Sequence, residues 1–205
     1  MQTIINWINS GGITSYLLIL LSVISVAIII NRLIFFHIKS RTSLENFTAE
    51  IEKFYAVKDL DSIYGFCETS IAPFANITHT IFSNTNKSHH TLVKLADKEL
   101  NKNIKELEKY VMFLGTIANV SVYLGLLGTI FGIIQAFTNI STQGMGGIEV
   151  VIGGVSKALI TTAMGLIVAI PAVIFFNYFT DRVEGFITDM ELLIDEALVL
   201  IGKEN

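Results

Sequence analysis

The sequence predicts an all-α membrane protein with three transmembrane helices, two of which extend far into the cytoplasm. Composition gives the class: mean hydropathy is +0.61, 52% of residues are hydrophobic and only 16% are charged, a balance foreign to soluble domains. Three long apolar runs give the spans. Two of these runs continue into amphipathic stretches with helical periodicity, which gives the extensions.

In chain order, 1–12 reads as a periplasmic interfacial segment, with Ile4, Ile5, Trp7 and Ile8 as a headgroup-level anchor. No Lys or Arg precedes the first apolar run and no small-residue cleavage site follows it, so that span is expected to be retained. It covers 13–31, the second span 111–140 and the third 150–180. Each reaches the roughly 20 residues that a hydrocarbon core requires. Basic residues fix the expected orientation. Arg32, Lys39 and Arg41 follow the first span, eight lysines follow up to Lys109, and Arg182 and Lys203 follow the third. The N-terminal segment and the 141–149 loop hold none. The positive-inside rule places the N-terminus and short loop in the periplasm, and 32–110 and 181–205 in the cytoplasm.

The cytoplasmic segments read as helices. Leu92, Leu95, Ala96, Leu100, Ile104, Leu107 and Val111 recur at three- and four-residue steps, with lysines opposite. No Pro or Gly interrupts 91–114, so one helix about 75 Å long is expected from Thr91 through the second span. Val183, Phe186, Met190, Leu193, Ile194 and Ala197 repeat the pattern after the third span. The segment 42–82, broken at Pro73, supplies partners for these stripes, and 83–90 reads as a loop.

Several function classes are disfavoured. A net charge of −4 provides no basic stripe for nucleic acid. The single cysteine, Cys67, forms no intrachain disulfide and reads as a packed residue. His89 and His90 are adjacent in a polar loop and read as solvated rather than metal-ligating; His37 reads as an interfacial residue. No glycine loop follows a strand, and no catalytic triad is recognisable. No cofactor is expected, and no pair of titratable groups shares a membrane face, so an enzyme is disfavoured.

The chemistry lies in the second and third spans. Thr129 and Thr162 sit in mid-membrane, while Glu149 and Asp181 lie only at the two mouths. Helical phase puts Ala118, Val122, Leu126, Gly132, Ile133 and Ala136 with Thr129. It puts Val151, Val155, Ala158, Leu159, Gly165, Leu166 and Ala169 with Thr162. Such faces fit either close helix packing, since Gly128-x-x-x-Gly132 favours near approach, or the lining of a polar path. Asn119, Gln135 and Asn139 fit interhelical bonding or pore water equally. Pro171 is expected to kink the third helix, with its neighbours satisfying the freed carbonyl.

Gly125-Leu-Leu-Gly128-Thr129-Ile-Phe-Gly132 and Ala158-Leu-Ile-Thr-Thr162-Ala-Met-Gly165-Leu-Ile-Val-Ala-Ile-Pro171 resemble the paired signature of the MotA/TolQ/ExbB proton-channel family. The start, Gly11-Gly12-Ile-Thr-Ser-Tyr with Asn31-Arg32-Leu after the span, is also similar to ExbB-like members. Three spans and a modest cytoplasmic segment favour the ExbB/TolQ branch over the flagellar MotA branch. The resemblance implies a ring-shaped homo-oligomer, a pentamer in the family, in the bacterial inner membrane. It implies an ExbD/TolR-like single-span partner that supplies a membrane aspartate, and a TonB/TolA-like energy transducer. It implies a proton path lined by Thr129, Thr162, Val122, Ala136, Ala158, Gly165 and Ala169, with Gly125, Gly128, Gly132 and Pro171 serving helix packing. ExbB-like service to TonB-dependent transport is the first expectation and a TolQ-like role in the Tol-Pal envelope system the second. A non-conducting scaffold is the alternative of another class. One departure stands out: where the family often has a glutamate about five residues before the second threonine, this chain has Lys157. Mid-span lysine costs about 2.5–3.5 kcal/mol on insertion scales. Lys157 therefore snorkels outward, pairs with Glu149 at a subunit seam, or meets the partner's acid.

Overall fold

The computed structural model describes residues 12–40, 42–143 and 148–202, with the backbone alone at 142, 143 and 148–150. The expected N-terminal anchor, the centre of the short loop and the Glu149 side chain lie outside the described residues. The described chain is helical: α1 (Gly12–Lys39), α2 (Leu44–Ala56), α3 (Leu60–Thr69), α4 (Ala75–Phe82), α5 (His89–Glu108), α6 (Val111–Gln143) and α7 (Ile148–Gly202). Three helices are long and apolar enough to cross a membrane.

Two compact units emerge, one built from the chain up to Asn31 and from Tyr110–Tyr178, the other from Arg32–Lys109 and the chain from Phe179 onward. In the first, α1 as far as Asn31, the whole of α6 and the first part of α7 pack through small and hydroxylated residues. Thr14, Ser15, Leu18, Ser25 and Ile29 form the buried stripe of α1. Outward-facing residues are large and apolar, with Val23, Ile130, Phe137, Leu159 and Ile167 all exposed. Lipid tails are as apolar as these side chains, so association rests on close backbone approach and interhelical hydrogen bonds.

The second unit has an aromatic core. Phe36 stacks on Phe179 at 5.5 Å and 21°, and Phe47 meets Phe74 edge-on at 4.7 Å and 66°. Such pairs add about 0.5–1.5 kcal/mol beyond their area burial. Helix starts are capped: Asn46 N donates to the Ser43 hydroxyl oxygen at 3.4 Å, and Ser62 N to Asp59 Oδ1 at 3.0 Å. These bonds satisfy orphan amides at the first turns of α2 and α3. The segment 42–82 is broken twice rather than only near Pro73. Lys58, at φ 56, separates α2 from α3, a left-handed turn that no Gly or Pro announces. The polar loop ends at Ser88, and His89 and His90 form the exposed first turn of α5.

Cys67 is buried beneath α4, and burial pushes its thiol up to about 12. The thiolate is the reactive form, so native Cys67 is expected to resist maleimide at pH 7.5 and to label after denaturation. Rapid labelling of the folded chain would contradict the packing described.

The single helix expected from Thr91 through the second span is corrected. α5 ends at Glu108, Lys109 leaves helical geometry with ψ 127, and Tyr110 turns left-handed at φ 67 before α6 begins. Arg32, which is 2% exposed, caps this helix end. Its Nη2 donates to the Glu106 carbonyl oxygen at 2.8 Å and also to that of Leu107. An uninterrupted helix would spend these acceptors on the amides of residues 110 and 111. The guanidinium also sits 4.5 Å from the Phe35 ring centroid, within cation–π range. In the third span the helix runs on through Pro171.

Candidate functional site

The hairpin of α6 and α7 is zipped by four close approaches, each a point where a methyl group would not fit. A Cβ on Gly128 would lie 2.2 Å from Thr161 Cγ2, one on Gly132 2.7 Å from Ala158 Cβ, and one on Gly154 2.3 Å from Ala136 Cβ. On Gly165 it would lie 2.6 Å from the Ser121 carbonyl oxygen. Gly125 lies in the same seam, its Cβ position 3.2 Å from Thr162 Cα.

This geometry sorts the residues selected by helical phase. Ala136, Ala158, Gly165 and Ala169 are buried within the single chain. Val122, Thr129 and Thr162 are half-buried at the seam's edge. Leu126, Ile133, Leu159 and Leu166 beside them are exposed. Both candidate hydroxyls are already donating. Thr129 Oγ1 donates to the Leu126 carbonyl oxygen at 2.6 Å, and Thr162 Oγ1 crosses to the Gly125 carbonyl oxygen at 3.1 Å. A hydroxyl has one donor and two acceptor positions. What each threonine still offers a newcomer is therefore a lone pair, suited to a water or a protonated acid and not to a carboxylate.

Phase counting overlooked a second set of polar groups. Thr161 and Ser121 are 1% and 0% exposed, and neither hydroxyl oxygen has a hydrogen-bond partner among the described residues. Ser15 Oγ lies 3.7 Å from Met164 Sδ, and Thr14 packs near Gly128. Asn119, Gln135 and Asn139 are exposed, as are Lys157 and Pro171. The proposed Lys157–Glu149 pair involves a side chain outside the described residues. Lys157 is the one charged side chain described in this unit, where Glu149 is described by its backbone alone.

The profile of the MotA/TolQ/ExbB proton channel family matches residues 69–192. That covers more than half of the chain, including both apolar spans of the hairpin. The chain belongs to this family. Among curated relatives, the Tol-Pal system protein TolQ of Haemophilus influenzae is 40% identical over 105 residues, 51% of this chain and 46% of that protein. TolQ of Pseudomonas aeruginosa is 35% identical over the same length and coverage. The biopolymer transport protein ExbB of Aquifex aeolicus is 38% identical over 93 residues, 45% of this chain and 63% of that protein. The matched segment thus spans about half the length of the TolQ relatives, and both names support the ExbB/TolQ branch.

Proposed function

We propose that this chain is the channel-forming subunit of an inner-membrane motor driven by the proton-motive force. It acts as a homo-oligomeric ring, a pentamer on the family pattern, around the membrane helix of an ExbD/TolR-like partner. That partner engages a TonB/TolA-like transducer and so energises an outer-membrane process. The observation that carries the reading is a seam with two half-buried threonines and no acid among its described residues. A proton needs a titratable relay or water to cross hydrocarbon, so the acid comes from another polypeptide.

The hydroxyl geometry suggests how the two would meet. With their protons committed to the Leu126 and Gly125 carbonyls, Thr129 and Thr162 accept from a protonated partner carboxyl and offer nothing to its charged form. A neutral acid is held at the seam, and the ionised acid is released toward water. Each proton supplies about 2.3 kcal/mol per 100 mV of potential, enough to bias steps between neighbouring subunits. A TolQ-like role has support in the longer match to H. influenzae TolQ, while the ExbB-like role rests on the N-terminal resemblance and the A. aeolicus match.

Thr162→Val tests the reading against a non-conducting scaffold. Valine keeps the shape and removes the oxygen, so proton flux in vesicles with the partner is expected to fall at least tenfold while assembly persists. Thr161→Val makes the same change at a buried hydroxyl without a partner and is expected to leave flux near wild type. Unchanged flux in the first variant, or an equal fall in both, would refute threonine lining.

A further inference from the structure

Helix α5 carries an exposed basic stripe. Lys94, Lys98, Lys102 and Lys105 are all exposed, and at 100° per residue they fall within an arc of about 80°. This arc lies opposite the buried stripe of Leu92, Ala96, Leu100 and Leu107. Lys102 pairs with Glu99 of the same helix at 3.3 Å. No ion pair is found for Lys94, Lys98 or Lys105 among the described residues.

On α7 the exposed acids Glu184, Glu191 and Asp195 fall within an arc of about 40°. They too face away from the buried stripe of Val183, Met190, Leu193 and Ala197. Leu192 and Val199, 50% and 56% exposed, run beside them. No ion pair joins the two stripes within one molecule among the described residues.

Their registers coincide. From Lys94 to Lys105 and from Glu184 to Asp195 the stripes each extend about 16 Å. Run antiparallel, they set Lys94 against Asp195, Lys98 against Glu191 and Lys105 against Glu184. The same level relation already holds inside one chain. One groove is lined by Val93, Asp97 and Leu100 of α5 together with Glu191, Asp195 and Leu198 of α7. A second joins Leu92 to Leu198 and Ile201. The first groove has an apolar floor and three acids at its rim, which fits lysines whose stems lie on the floor while their ammonium groups meet the carboxylates.

We propose that the lysine stripe of α5 docks on the acidic stripe and groove of α7 in a second copy of this chain. The inference rests on the oligomeric reading above and names the surface that closes the ring outside the membrane hairpin. Rotation about an axis running along α5 and α7 keeps levels unchanged, so the intrachain register carries over to the neighbour. Because the two surfaces differ, the contact is head-to-tail, the kind that generates a ring when the rotation closes. Exposed ion pairs are individually weak and screened by salt. Three in register beside apolar contacts act chiefly by rejecting wrong registers and like-charged faces.

The test uses full-length chains in native membranes. Two differently tagged versions are co-expressed, one carrying Lys98→Cys and the other Glu191→Cys, and bridged with a short bis-maleimide. Buried Cys67, with its raised thiol pKa, contributes little background. The mixed-tag product is expected to exceed by at least tenfold that of Lys98→Cys with Glu68→Cys, an exposed control on α3. Reversing Lys94, Lys98 and Lys105 to Glu should reduce the oligomer recovered from membranes, and adding Glu184→Lys, Glu191→Lys and Asp195→Lys should restore it. Native mass spectrometry of the wild-type chain separates the failures. An oligomer whose cross-linking stays at the control level overturns this interface alone. A monomer overturns both the interface and the ring.

Discussion

Arg32→Gln is expected to lower stability by about 2–4 kcal/mol, because it strips two carbonyl oxygens of a buried, charge-assisted donor. The guanidinium bonds the Glu106 and Leu107 carbonyls at the point where α5 stops, and lies against Phe35 and Phe36. Glutamine is shorter and neutral, so it leaves the helix end without its cap and the two rings without their cation. Arg32→Lys keeps the charge but replaces a planar fork with a point donor, and should fall between glutamine and wild type. Thermal unfolding of the purified chain in detergent, with limited proteolysis around 106–112, measures both effects. A glutamine variant as stable and protease-resistant as wild type would contradict the role given to Arg32.

Gly165→Ala should be the most damaging single methyl in the hairpin. The new Cβ would lie 2.6 Å from the Ser121 carbonyl oxygen and 3.0 Å from Gly125 Cα. Both are backbone atoms that cannot rotate aside, unlike the Thr161 methyl that faces Gly128. Overpacking typically costs about 1–3 kcal/mol, and here it also pushes Thr162 away from the Gly125 carbonyl. Gly153→Ala provides the contrast. Nothing lies within 4 Å of its Cβ position, so alanine should be neutral or should gain up to about 1 kcal/mol of helix propensity. Denaturant titration of both variants in detergent measures the difference, and equal stabilities would refute the zipped seam.

The three spans and the all-helical class were legible because long uncharged runs and 3.6-residue periodicity are local signals. Gly128 and Gly132 stood out for the same reason, as small residues one turn apart. The α5–α6 break was not legible. Nothing at Lys109 or Tyr110 differs from an ordinary amphipathic helix, and the side chain that caps the break, Arg32, sits 74 and 75 residues away from its acceptors. Lys58 is a similar case, a left-handed residue whose side chain carries no warning. Within the candidate site, phase counting grouped Ala158 and Gly165 with Thr162. Which half of that face meets α6 depends on interhelical rotation, which a single helix's periodicity does not contain. The same limit hid Thr161, whose inward orientation only its contact with Gly128 reveals.

On the proposed function, this chain builds a proton path but borrows its acid. The most direct measurement is proton flux in vesicles containing this chain alone, the chain with an ExbD/TolR-like partner, and the chain with that partner's membrane aspartate changed to asparagine. Flux only in the second preparation is the predicted result. Equal flux from the chain alone, or from the asparagine partner, would contradict it.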